Sequence, residues 1–190
     1  PLSEEEVQQY RQIRRQSSST SEEDDSEKPP RTLHRHSAKR LLKKMEMVGE
    51  DAPDFEVKAL DGSSLSPADY QGRTLLLHFW STSTESSRQQ VEDMESVYRD
   101  YHEEGLEIVG LSLDEDRESL ESFVSDSEIQ WKQVLLNGNE QQEIPNLYGV
   151  DSIPQAVLIG PRGQVRACGR SLLGRGLERN VQSVLGSSHQ

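Results

Sequence analysis

Cysteine is nearly absent: Cys168 stands alone in 190 residues. One thiol excludes an intramolecular disulfide and a thiolate-rich zinc site, and any dithiol exchange would need a second thiol from elsewhere. Apolar residues are also scarce. A hydrophobic fraction of 32% and a mean hydropathy of -0.81 are low for a compact domain, which predicts that a sizeable part of the chain stays solvated. No apolar run approaches the length that spans a bilayer, and no secretory signal is present. The chain begins at Pro1 rather than Met and reads as a fragment or processed form, so location stays open and a membrane tether outside these residues is compatible with it. Positive charge is short as well. A formal charge of -13 argues against nucleic acid or an anionic membrane surface as partner, since both are polyanions.

The charge is unevenly spread. Residues 31–48 carry Arg31, Arg35, Lys39, Arg40, Lys43 and Lys44 against Glu46 alone, so the acidity belongs to the remainder. From Ser3 to Arg15, a serine cap, early acids, late bases and Val7, Tyr10 and Ile13 at helical spacing predict a short helix. Serines, acids and Pro29-Pro30 make 16–30 a disordered linker, so residues 1–30 form an acidic, Ser-rich tail. Leu33, Leu41, Leu42, Met45 and Val48 give 31–48 a basic amphipathic helix that packs on the domain or binds a partner or a membrane surface. His34 and His36 form a His-x-His pair, but no neighbouring carboxylate or thiol completes a metal site. The expected domain is 49–187.

Within it, Phe55–Leu60, the Asp61-Gly62 turn and Ser63–Leu65 predict a hairpin. Ser66-Pro67 starts a one-turn helix. The apolar run Thr74–Trp80 is a central strand buried on both faces. Val91, Met94, Tyr98 and Tyr101 mark the inner side of a helix that Gly105 ends. Then follow a strand from Glu107 to Leu113, a helix from Asp114 to Ser125 capped by Asp114 and Asp116, a strand from Trp131 to Leu136, a helical turn from Ile144 to Gly149, strands Ala156–Ile159 and Gln164–Cys168, and a closing helix Leu177–Leu185. Parallel strands joined by helices, then an antiparallel pair, give an α/β domain with a mixed central sheet flanked by helices.

His78-Phe79-Trp80, a four-residue turn Thr84-Glu85-Ser86-Ser87 and Arg88 resemble the active-site segment of thioredoxin-fold proteins, where Phe-Trp precedes Cys-x-x-Cys. Gly49-Glu-Asp-Ala-Pro-Asp-Phe55, Leu60-Asp-Gly62, Gly72-Arg73, Gly110-Leu-Ser-Leu-Asp114, Ile153-Pro154 and Pro161-Arg-Gly163 are similar to the TlpA/ResA-like (redoxin, AhpC/TSA-related) branch. That resemblance covers about residues 49–185. It implies a thioredoxin-like fold with an amino-terminal β-hairpin extension, and it puts Thr84 and Ser87 where the family has its two cysteines.

The helix N-terminus in such a fold lowers the pKa of a thiol enough to make it a nucleophile, but a hydroxyl in the same field keeps its proton. Thr84 and Ser87 therefore cannot shuttle disulfides. They suit capping, and Thr82 with Glu85 reads as a capping box. His78 aligns with the family's buried proton-relay aspartate; it is either a satisfied core residue or a group that titrates near neutrality or bonds to Ser87. Ile153-Pro154 matches the cis-proline loop, which leaves a backbone edge for an extended peptide or protein. Trp80, Glu85, Ser86, Ile153 and Pro154 are the expected groove. Cys168 is either a small apolar residue or, beside Arg170, a reactive monothiol. Asp114 and Asp116 are caps before they are a cation site. No metal and no cofactor is expected.

The resemblance implies thiol-disulfide oxidoreductase chemistry, cell redox homeostasis and a cell-envelope or periplasmic location. The residues favour a redox-inactive binding or scaffold module. The alternatives are a residual enzyme, of oxidoreductase or antioxidant type through Cys168 or through His78 with a hydroxyl, and a deliberately inactivated oxidoreductase, against which Thr84 argues.

Overall fold

The computed structural model describes residues 43–186. The helix expected at 3–15, the linker to Pro30, the His34/His36 pair and all of the basic segment before Lys43 lie outside the described residues. Residues 43–47 are helical, and Met47 is buried against the sheet. A small hairpin follows, β1 (Val57–Lys58) with β2 (Ser64–Leu65). Gly62, at φ 85, makes the left-handed bend that joins them. A 3-10 turn, Pro67–Tyr70, leads to β3 (Thr74–Trp80).

Helix α1 (Glu85–Tyr101), β4 (Leu106–Ser112), α2 (Arg117–Asp126) and β5 (Lys132–Leu135) alternate after that. Then come α3 (Glu140–Leu147), β6 (Gln155–Ile159), β7 (Val165–Cys168) and α4 (Arg175–Gly186). The central sheet has the order β5-β4-β3-β6-β7. Strands β3, β4 and β5 are parallel, while β6 and β7 are antiparallel to their neighbours. Every residue of β3 is buried, as a central strand covered on both faces must be.

Alternation along β3 sorts the core into two layers. Leu76 and Trp80 join Val91 and Met94 of α1, Leu120 of α2 and Leu177 and Val181 of α4. Leu75, Leu77 and Phe79 face the other way, onto Met47, Val57, Leu65, Ile144 and Tyr148. The stretch 49–60 closes both edges of the sheet. At one end Gly49 N–H donates to Val165 O at 2.8 Å and Val165 N–H to Glu50 O at 2.9 Å, with Asp51 bridged to Gln164. At the other, Ala59 bridges Val134 and Leu60 N–H donates to Gln133 O at 2.8 Å.

One element differs from expectation. The helical turn predicted at 144–149 is a helix from Glu140 to Leu147 with Pro145 inside it. Pro145 withholds one N–H but its carbonyl still accepts from Val150 N–H at 2.8 Å, and Ile144 and Pro145 are buried, so packing holds the helix through the proline.

Candidate functional site

The carboxyl end of β3 meets the amino end of β6. Phe79 pairs with Gln155 in register, which sets Ser81, two residues on, level with Ile153, two residues before. The Ile153–Pro154 peptide bond is cis. Both residues are half-buried, as is Thr84, while Glu85 and Ser86 are exposed and Ser87 is buried. The turn 81–87 and the 151–154 loop thus form one rim over the sheet's end.

A buried carboxylate shapes that turn. Asp114, just beyond β4 and 8% exposed, accepts from Ser81 Oγ at 2.7 Å, Thr82 Oγ1 at 2.9 Å, Thr82 N–H at 3.0 Å and Ser112 Oγ at 2.7 Å. Burial alone would raise its pKa, but the donors of Thr82, Ser112 and Ser81 outweigh burial and hold the carboxyl below its ordinary value. Asp114 therefore ties the turn to β4 instead of capping α2. The α2 cap is Asp116, which accepts from Ser119 N–H at 2.9 Å.

The expected capping box of Thr82 with Glu85 is not formed. Helix α1 starts at Thr84, which makes no side-chain cap bond, because the Thr82 hydroxyl is taken by Asp114. Glu85 pairs instead with Arg88, whose Nη1 donates to Thr82 O at 2.7 Å. Ser87 Oγ accepts from Ser81 N–H at 3.4 Å, a bond that holds the helix's inner side to the turn.

His78 is fully buried and its partner is Gln90, not Ser87. Nε2 lies 3.2 Å from Gln90 Oε1, and Gln90 Nε2 donates to Leu172 O at 3.2 Å. With the amide nitrogen committed to a carbonyl, Gln90 Oε1 accepts, so His78 carries its proton on Nε2 and Nδ1 is a bare lone pair without a partner. Burial pushes the imidazole down to about 3, against the smaller upward pull of Gln90. A histidine titrating near neutrality is thus replaced by one that stays neutral.

Trp80 does not line the groove. Alternation points it to the same side as His78, on which it stacks with ring centroids 5.9 Å apart, and it is 0% exposed. Its Nε1 donates to Gln133 Oε1 at 3.1 Å. The Gln133 side chain reaches it by lying across Gly110, where a Cβ would meet Gln133 Oε1 at 2.0 Å. Cys168 lies on β7, two strand spacings or about 10 Å from β3, outside the turn. It is half-buried, and its Sγ donates to Lys44 O at 3.6 Å. The side chain of Arg170, expected beside it, lies outside the described residues. Among the described residues no group of three His, Cys, Asp or Glu side chains could hold a metal ion.

The arrangement supplies hydroxyls without a base. His78 Nε2 is occupied by Gln90, its free Nδ1 belongs to an imidazole that burial makes a very weak base, and the Asp114 carboxylate is occupied by the hydroxyls and the N–H that it orders. Sequence reasoning missed Asp114 as the turn's clamp and Gln90 as the histidine's partner. Gln90 did carry a signal, since it shares the inner face of α1 with Ser87, Val91 and Met94, where a polar residue needs a buried partner.

Comparison with known proteins places this chain in a family. The AhpC/TSA family model matches residues 48–168. The thiol-disulfide oxidoreductase ResA of Bacillus thuringiensis subsp. konkukian (strain 97-27) is 32% identical over 122 residues, which is 64% of this chain and 68% of the relative. The thioredoxin domain of a thiol-disulfide oxidoreductase from Bacteroides vulgatus is 25% identical with a TM-score of 0.67, over 73% of this chain and 97% of that one. A thiol:disulfide interchange protein from Bacteroides sp., also 25% identical, has a TM-score of 0.66 over 73% of this chain and 90% of its own. The chain belongs to the AhpC/TSA family, in its thioredoxin-fold, TlpA/ResA-like branch.

Proposed function

We propose that this domain is a redox-inactive member of its thiol-disulfide oxidoreductase family that binds an extended peptide or a protein segment at the rim formed by Glu85, Ser86, Ile153 and Pro154. The observation that carries the reading is the state of the turn: Thr84 and Ser87 stand where the family has its thiols, and Ser87 is buried with its oxygen accepting from Ser81 N–H. A hydroxyl here is a structural fastener. The Asp114 clamp then acts on shape, holding the turn ready without chemistry to perform.

A hydroxyl–histidine enzyme has little support, because His78, the one imidazole by the turn among the described residues, is a very weak base, its pKa pushed down to about 3 by burial, and it bonds to Gln90 rather than to a hydroxyl. A Cys168 monothiol would work from β7, level with Val157 of β6 and two strands away from β3, and outside the turn. By resemblance the domain acts in the cell envelope or periplasm; no helix among the described residues is long and apolar enough to cross a membrane.

The test has two arms. The purified protein with dithiothreitol should not accelerate insulin reduction; measurable catalysis would overturn the loss of redox activity. Immobilised protein should capture a partner that Ser86→Arg, at an exposed position, releases. Capture that is indifferent to Ser86→Arg would remove the rim from the proposal.

A further inference from the structure

A second cleft lies at the end of the sheet remote from the rim. Strands β4 and β5 run parallel to β3, so Glu107, in the first turn of β4, and Trp131, just before β5, sit where β3 begins and not where the site turn lies. The cleft has a volume of about 480 Å³ and is bounded by these two strand starts, the ribbon at 59–61, Tyr98 of α1 and Val124 of α2.

Two buried side chains of its lining carry donors that have no partner. Trp131 and Gln133 are two residues apart, so they share one face of β5, and they are 5% and 4% exposed. Trp131 Nε1 and Gln133 Nε2 make no hydrogen bond among the described residues. The Gln133 amide is held by its oxygen, which accepts from Trp80 Nε1, so the NH2 end is the one left over. An indole N–H can only donate. Buried donors are seldom left unpaired, because each has given up its bonds to water. What this corner lacks is an acceptor.

The rest of the lining selects what carries that acceptor. Tyr98 and Trp131 pack ring to ring, with centroids 5.5 Å apart and planes at 58°, and Leu60 and Val124 add aliphatic surface, a lining that suits a flat ring. The charged residues of the lining are neutralised in pairs, Lys132 with Asp61 and Glu107 with Arg73. With its one lysine already paired, the cleft favours an uncharged ligand over a carboxylate, and its volume suits a small molecule. We propose that this cleft binds a small, uncharged planar ring bearing a carbonyl oxygen, which accepts from Trp131 Nε1 and Gln133 Nε2 while the ring packs against Tyr98 and Val124. The site is separate from the peptide rim, and neither reading depends on the other.

Indole N–H signals test the contact directly. The chain has two tryptophans, so isotope-labelled full-length protein gives two such signals by NMR, and Trp131→Phe identifies the one from Trp131. Benzamide, a flat ring with one carbonyl, is the probe. It should move the Trp131 signal saturably, with a Kd on the order of 1 mM for so few heavy atoms. Toluene at the same concentration has the ring without the acceptor and should leave that signal in place, since the missing hydrogen bonds are worth roughly tenfold in affinity.

Two variants give the second measurement, read from the backbone amide signal of Gln133. Trp131→Phe keeps a ring but loses the donor, and it should weaken benzamide binding several-fold, to about tenfold. Val124→Phe fills the cleft and should abolish binding in a chain whose spectrum stays dispersed. A Trp131 signal that stays in place at about ten times the expected Kd would overturn the proposal, as would a shift confined to Trp80. Toluene binding as tightly as benzamide would overturn the part assigned to the two donors, and full binding by Val124→Phe would overturn the location.

Discussion

Replacing His78 by leucine or by glutamine should flatten the acid side of the stability profile. The imidazole is neutral in the folded protein, with its pKa pushed down to about 3 by burial, while in the unfolded chain it sits near 6.5. Between those values the unfolded state binds the extra proton, so stability is full above pH 6.5 and falls as the pH drops toward 3. At pH 5 the unfolded imidazole is mostly charged and the folded one is not. The difference is about 1.4 kcal/mol for each pH unit below 6.5, or about 2 kcal/mol. For a domain of this size that equals about 4–8 °C in Tm. Urea unfolding followed by the fluorescence of buried Trp80 and Trp131 at pH 7 and pH 5 measures it. Each variant loses the Gln90 bond and is less stable at both pH values, but the comparison is between pH values within one protein, where that loss cancels. Variants whose stability falls between pH 7 and pH 5 by as much as the unaltered protein's would refute the neutral, buried imidazole.

Asp114→Asn removes the charge that Ser81, Thr82 and Ser112 share and should cost about 2–4 kcal/mol in urea unfolding, since hydrogen bonds to a charged group contribute about 1.5–3 kcal/mol each but are partly retained by the amide oxygen; a loss under 0.5 kcal/mol would show that the clamp is weak. The Asp114 carboxyl is held below its ordinary value, so its contribution is present above about pH 4 and is lost only as the pH falls through the lowered value. Gly110→Ala forces the Gln133 side chain off Trp80 and should cost about 1–3 kcal/mol, with a shift in Trp80 emission as the indole loses its acceptor; an unchanged spectrum would refute the coupling. Thr84→Cys with Ser87→Cys should confer dithiol-dependent insulin reduction, because the rim keeps its form, whereas an inert double variant would locate the loss beyond the thiols.

The fold was legible where a residue's role is local or periodic. Thr74–Trp80 announces itself because a strand buried on both faces is an unbroken apolar run, and Gly62 announces a turn because its bend needs a left-handed residue. The site was legible in outline for the same reason: a strand, a polar turn and a helix stand in a row. Its details depend on partners far along the chain. The capping box suggested by Thr82 and Glu85 lost to Asp114, more than thirty residues away, and no local pattern encodes that competition. Trp80 could have been read correctly from alternation alone, since it must share a face with His78. Pro145 hid α3, because a proline that marks a breaker in isolation is tolerated when Ile144 beside it is buried.

The stretch from Gly49 to Leu60 closes both outer strands of the sheet, β7 by way of Glu50 and β5 by way of Leu60. Unpaired strand edges invite pairing with other chains, and here a single short ribbon protects both. Its middle, at Asp54 and Glu56, is exposed, so one proteolytic cut there would loosen protection on opposite sides of the molecule at once. The clipped protein would then be prone to join edge to edge with other copies while its central strands stayed folded.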